Sequence, residues 1–140
     1  MARVLIVGCG CRGRSLGSAL ASEGHAVRGT SRSVEGADVI SGSGIEGLVA
    51  DPLRLGTLLP CLSGVTVVVW MLGRVASPDL HGPRLESILG KLVDSGVRGF
   101  VYEEGPGAAL VRTAGETWRM PVAVAPSEEL LAAVESVMEG

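Results

Sequence analysis

Short unbroken apolar runs alternate along this chain with longer stretches whose apolar positions recur every three or four residues. Val4 to Val7 is a continuous apolar run, which predicts a strand covered on both faces. Ser15 to Glu23 then puts Leu16, Ala19 and Leu20 on one helical face. Ala26 to Thr30, entered through Gly24 and His25, predicts a second strand. The stretch Ser31 to Gly44 holds three glycines and reads as loop with one short helix. Ile45 to Ala50 predicts strand three, and Pro52 to Pro60 a short helix opened by Asp51-Pro52. Val65 to Trp70, rich in β-branched residues, predicts a central strand. Pro83 to Asp94 carries Leu85, Ile88, Leu89, Leu92 and Val93, a helical stripe ended by Ser95-Gly96. Val97 to Tyr102 predicts strand five, Ala108 to Trp118 a helix, and Val122 to Ala125 strand six. Ser127 is placed to cap a last helix whose first turn carries Glu128 and Glu129.

Strands alternating with helices across short connections require right-handed βαβ crossovers, and so a parallel sheet with helices on both faces. The expected fold is a three-layer, doubly wound α/β Rossmann fold of six strands in the order 3-2-1-4-5-6, one domain spanning residues 1–140. These elements account for the whole sequence, so a second domain is not expected. Hydrophobic residues make up 46% and charged residues 19%, which is globular composition. The longest apolar run, Val65 to Leu72 with one Thr, is too short to span a bilayer, and the first strand begins too early to leave room for a signal peptide. Three cysteines do not make a disulfide framework, and a reducing cytoplasm is the expected setting. The net charge is −3 and Lys91 is the sole lysine; with acids spread among the arginines there is no basic stripe for nucleic acid. Neither nucleic acid nor membrane is an expected partner.

The first strand runs into Gly8-Cys9-Gly10-Cys11-Arg12-Gly13, a G-x-G-x-x-G turn. Twenty-one glycines would supply such spacing by chance, so the context carries the argument: strand before, helix after, second strand within one βαβ unit. There Gly8 permits the tight turn, Gly10 lets the backbone approach a pyrophosphate and Gly13 lets helix and strand pack closely; Cys11 and Arg12 lie in the turn, and the N-terminus of the helix that follows supplies unpaired N–H groups to an anion. The alternative is a tight turn that binds nothing. At the end of strand two, where a carboxylate would select the NAD ribose, the chain reads Thr30-Ser31-Arg32, with no acid before Glu35. A hydroxyl followed by a guanidinium suits a 2′-phosphate, so NADP is the preferred cofactor and NAD the alternative. Arg12 could reinforce that grip. Taken singly, Arg12, Arg28 and Arg32 each read more simply as solvated surface charges.

The stretches "VLIVGCGCRGRSLGSALASEGHAVRGTSRS", "GIEGLVADPLRLGTLLPCLSGVTVVVWMLG" and "GVRGFVYEEGPG" together resemble the nucleotide-binding half of extended and atypical short-chain dehydrogenase/reductases, which include sugar epimerases and NmrA-like redox sensors. The resemblance implies that Asp51 lies near the adenine and Leu72-Gly73 near the nicotinamide ribose. It also implies a homodimer in which the helices flanking strand five pair across a two-fold axis. The sequence departs from that family at the catalytic motif Tyr-x-x-x-Lys. Tyr102 is the one tyrosine, Pro106 stands four residues later, and where the family often reads F-V-Y-x-S-S the chain reads Phe100-Val101-Tyr102-Glu103-Glu104, with Glu in place of the serine.

Remaining candidates for chemistry are weak. Glu103, Glu104 and His81 would reach the sheet edge where α/β proteins bind ligands, and any of them could serve as acid or base, although solvated turn acids are the commoner outcome. Cys9 and Cys11, in the turn, could be redox-sensitive thiols or small packing residues. C-x-C lacks the further ligands of a zinc site, so no metal is expected. Cys61 reads as structural and His25 as shaping the turn before strand two. Three functions fit: an NADP(H)-binding protein without the usual dehydrogenase catalysis, a small oxidoreductase or epimerase-like enzyme, and a redox-sensing module that signals by association.

Overall fold

A computed structural model describes residues 2–72 and 75–139. Six strands, β1 (Arg3–Val7), β2 (Ala26–Ser31), β3 (Glu46–Val49), β4 (Val67–Trp70), β5 (Gly99–Glu103) and β6 (Val122–Ala125), form one sheet. All neighbours run parallel, in the order β3-β2-β1-β4-β5-β6. Val4 pairs with Val27 on one side and Val67 on the other, so β1 is central.

The period-two alternation of a strand divides the core. Leu5, Val7, Val68, Trp70, Phe100 and Tyr102 face the layer made by α3 (Leu55–Leu58), α4 (Pro83–Leu92) and α5 (Ala108–Trp118). Val4, Ile6, Val67, Val69 and Val101 face α1 (Cys11–Ser22), α2 (Val34–Gly42) and α6 (Leu130–Glu139). The expected three-layer architecture and strand order are both present. Because the chain leaves β3 at one edge and re-enters beside β1 as β4, a crevice opens between the carboxyl ends of β1 and β4.

Local chemistry moved several boundaries. The stretch expected to be mostly loop contains α2, a nine-residue helix: Ser33 Oγ accepts from Gly36 N–H at 3.0 Å, satisfying one of its free donors, and Ala37 and Ile40 are buried three positions apart. Gly36 and Gly42 hid that pattern. The helix expected from Pro52 starts at Leu55, because Asp51 Oδ1 accepts from Leu53 N–H at 2.9 Å and holds a turn there. Helix α1 begins at Cys11, four residues before its apolar face becomes legible. Ser127 lies in a single 3₁₀ turn, Ser127–Glu129, ahead of α6, and among the described residues its hydroxyl accepts from Arg12 rather than from a backbone N–H of the helix.

Candidate functional site

The glycine turn sits where β1 meets that crevice. Gly8 has φ +81°, and a Cβ there would lie 2.5 Å from Leu72 Cδ2 and 3.0 Å from the Met71 carbonyl, so the fold itself requires a glycine. The turn is tied to β2: Gly8 N–H donates to Thr30 Oγ1 at 3.2 Å and Cys9 N–H to the Thr30 carbonyl at 2.9 Å. Gly10 differs. Its backbone is extended, φ −88° and ψ −154°, a conformation open to any residue, and a Cβ would meet no atom within 4 Å. Gly13 packs against Cys9 and Ile6.

Helix α1 starts directly after Gly10, with no side-chain cap and no acid in its first turn. Arg14 N–H closes the first helical bond to the Gly10 carbonyl at 2.9 Å. Among the described residues, the N–H groups of Cys11, Arg12 and Gly13 have no protein acceptor. Three aligned donors at the positive end of a helix dipole favour an anion.

A cleft of about 250 Å³ opens beside the turn. Gly8, Gly10, Thr30, Ser31, Arg32, Asp51 and Leu72, all expected from the sequence, line it together. Cys9, expected in the turn as a thiol or packing residue, also lines it, as do Ala50, Pro52, Leu53, Val75 and Leu80, which the sequence did not single out. Pro52 and Leu53 follow Asp51 directly, and that adjacency was the available signal. Val75 and Leu80 arrive through the long connection after β4, whose path no local pattern specifies. Gly73 lies outside the described residues. Arg32 is exposed at the end of β2 and makes no ion pair among the described residues, whereas Asp51 keeps one carboxylate oxygen on Leu53 N–H. Thr30 is buried with its hydroxyl on the turn backbone, and Ser31 Oγ accepts from Ser33 N–H at 3.3 Å.

Other expected residues lie elsewhere. Cys11 is exposed, while Cys9 is buried and its thiol is pushed up to about 11 by burial, with Arg14 opposing. Cys61 is buried too; its Sγ donates to the Thr57 carbonyl and burial raises its pKa. The three thiols are free. His25 Nδ1 accepts from Ala2 N–H at 3.1 Å and holds the entry to β2. Arg28, read as a surface charge, is tethered to Glu46 and to the Cys61 carbonyl, both at 3.1 Å.

Arg12 turns its guanidinium away from Arg32, onto the Glu103 carboxylate and the Ser127 hydroxyl. Glu103 is 2% exposed, so the solvated acid expected there is a buried partner in an ion pair, while Glu104 remains at the surface. His81 is buried and both ring nitrogens are engaged: Nε2 with the Val75 carbonyl at 2.9 Å, Nδ1 with Tyr102 Oη at 2.6 Å. A carbonyl only accepts, so the proton resides on Nε2. Tyr102 then donates to Nδ1 while accepting from Gly107 N–H at 2.7 Å. Burial raises the Tyr102 pKa, with the Gly107 bond opposing. The network joins the connection after β4 to β5 and to the start of α5.

No protein-family model matches the sequence, and no curated protein matches it. Solved structures do match. A short-chain dehydrogenase/reductase superfamily protein from Agrobacterium tumefaciens with bound NAD aligns at TM-score 0.62 and 20% identity, over 87% of this chain and 48% of that one. UDP-glucose 4-epimerase from Thermotoga maritima, with UDP-glucose, aligns at TM-score 0.69 and 13% identity, over 87% and 54%. Yeast methylglyoxal/isovaleraldehyde reductase complexed with NADPH aligns at TM-score 0.58 and 19% identity, over 74% and 37%. The chain has a Rossmann-like fold. It spans about half the length of the first two structures, and at these identities the likeness extends to the fold.

Proposed function

We propose that the protein binds a nicotinamide adenine dinucleotide at the β1–β4 crevice, NADP(H) in preference to NAD(H). The observation that carries this reading is Gly10. Gly8 is a glycine because the fold demands it; Gly10 has neither a conformational nor a packing reason inside the protein. A residue without a Cβ, followed by three unsatisfied helix N–H groups, fits a pyrophosphate that must approach the backbone. Arg32 and Ser31 line the cleft at the end of β2, where a 2′-phosphate would be gripped, and Ala50 to Leu53 supply an apolar wall for the adenine. A bound dinucleotide would carry a hydride on its nicotinamide; this chain contributes the binding of its phosphates and adenosine. Similar folds in the structural comparison hold NAD and NADPH, which supports the reading.

The residues favour binding over the short-chain dehydrogenase reaction. Tyr102 is buried with its hydroxyl committed on both sides, and Lys91 stands on α4 rather than four residues beyond a tyrosine. His81 has no ring nitrogen left for a substrate. Titration with NADPH and NADH tests the assignment. One charge-assisted contact from Arg32 is worth about 1.5–3 kcal/mol, roughly ten- to a hundredfold in Kd. Arg32→Asp should erase that preference and favour NADH, since the new carboxylate repels a 2′-phosphate and accepts from a 2′-hydroxyl. Equal affinities in the wild type would remove Arg32 from the site, and no binding of either would remove the proposal.

A further inference from the structure

We propose that the cleft takes the adenosine diphosphate end of the dinucleotide alone, and that the Arg12–Glu103–Ser127 bridge keeps the nicotinamide off the carboxyl ends of β4 and β5. The inference rests on the dinucleotide reading above and narrows it to a ligand class: adenosine carrying a 5′-diphosphate, with or without what lies beyond it.

The cleft is one-sided. Its walls come from the loop after β1, the ends of β2 and β3, and residues 72, 75 and 80; among the described residues none of β5, β6 or the loops that follow them lines it.

The other half of the edge is filled by the protein. Arg12, second residue of α1, reaches Glu103 at the end of β5 and Ser127 just beyond β6. β4 lies between β1 and β5 in the sheet, so the bridge links elements on either side of it. Helices α1 and α6 pack on the same face, with Leu16 and Leu20 in one cluster with Ala133 and Val134, so the bridge is anchored at both ends. On the opposite face, Val75, His81, Tyr102 and Gly107 close the space beside β5 with a continuous chain of hydrogen bonds. A nicotinamide extending from the glycine turn toward β5 meets a formed ion pair. Admitting it requires Arg12 to leave a carboxylate that is 2% exposed.

The test compares ligands that differ only beyond the diphosphate. Calorimetric titration should give NADPH and 2′-phospho-ADP-ribose Kd values within about threefold of each other, and nicotinamide mononucleotide should not bind. The reduced nicotinamide of bound NADPH should keep its free-solution emission, since it stays in water. NADPH binding at least about tenfold more tightly than 2′-phospho-ADP-ribose, or a blue-shifted, enhanced emission, would overturn the inference and leave the dinucleotide reading standing. Failure of all three to bind would defeat both. The double variant Arg12→Ala/Glu103→Ala removes both charged members of the bridge. With its fold checked by circular dichroism, it should raise the NADPH preference at least about fivefold; an unchanged ratio would overturn the role given to the bridge.

Discussion

Replacing Gly8 and Gly10 by alanine, one at a time, separates the needs of the fold from those of the ligand. At Gly8 the added Cβ enters a left-handed backbone at φ +81°, which costs about 1–2 kcal/mol. It also lies 2.5 Å from Leu72 Cδ2 and 3.0 Å from the Met71 carbonyl, an overpacking of about 1–3 kcal/mol. The stiffer unfolded chain returns roughly 0.4–1 kcal/mol, leaving a loss of about 1–4.5 kcal/mol. At Gly10 the backbone is extended and the space empty, so neither penalty applies. The unfolded-state gain of about 0.4–1 kcal/mol is offset by roughly 0.5–1 kcal/mol, because alanine is a poorer N-cap than glycine. The net change is within about 0.5 kcal/mol. Binding should show the reverse contrast: a methyl group at Gly10 keeps a phosphate from the N–H groups behind it, and each lost charge-assisted bond costs about 1.5–3 kcal/mol, or ten- to a hundredfold in Kd. Urea unfolding followed through buried Trp70, with NADPH titration of each folded variant, provides both readouts. A Gly10→Ala protein as destabilised as Gly8→Ala, or one that binds NADPH like the wild type, would refute the reasoning.

Alkaline stability should report Cys9. Its folded pKa of about 11 lies above the ordinary 9.0, so the folded state holds its proton longer; stability is intact below pH 9 and falls as pH rises to 11, by up to about 2.7 kcal/mol. Cys9→Ala should flatten that slope in urea titrations, and thiol reagents should modify Cys11 well before Cys9 or Cys61. Tyr102→Phe leaves Gly107 N–H and His81 Nδ1 buried without their partner, at about 1–3 kcal/mol each, and should lower the urea midpoint while speeding exchange of the Gly107 amide. Finally, we propose a homodimer through the groove between α4 and α5, lined by Leu89, Leu110, Ala114 and the 40% exposed Trp118; sedimentation at micromolar concentration should give twice the chain mass, and a monomer would refute it.

Periodicity and turn chemistry determined the architecture of this protein before any tertiary contact was known. Apolar runs such as Val4 to Val7 and Val65 to Trp70 need cover on both faces, short crossovers have one favoured hand, and together they leave little choice but a doubly wound parallel sheet. The glycine turn was legible for the same local reason: strand, turn and helix are contiguous in sequence. Helix α2 was legible only as one short helix of unstated bounds, because its cap, Ser33 to Gly36, is made by a side chain among glycines that read as loop. The contents of the sheet edge depended on the fold itself. Arg12 and Glu103 stand 91 residues apart, and Tyr102 and His81 21 apart; nothing in either local pattern says which partner each will find. Buried polar groups must be paired, but only the packing of α1 against α6, and of the segment after β4 against β5, decides with whom. That choice turned a guanidinium expected at the cofactor toward a buried carboxylate, and paired a buried histidine with a buried tyrosine.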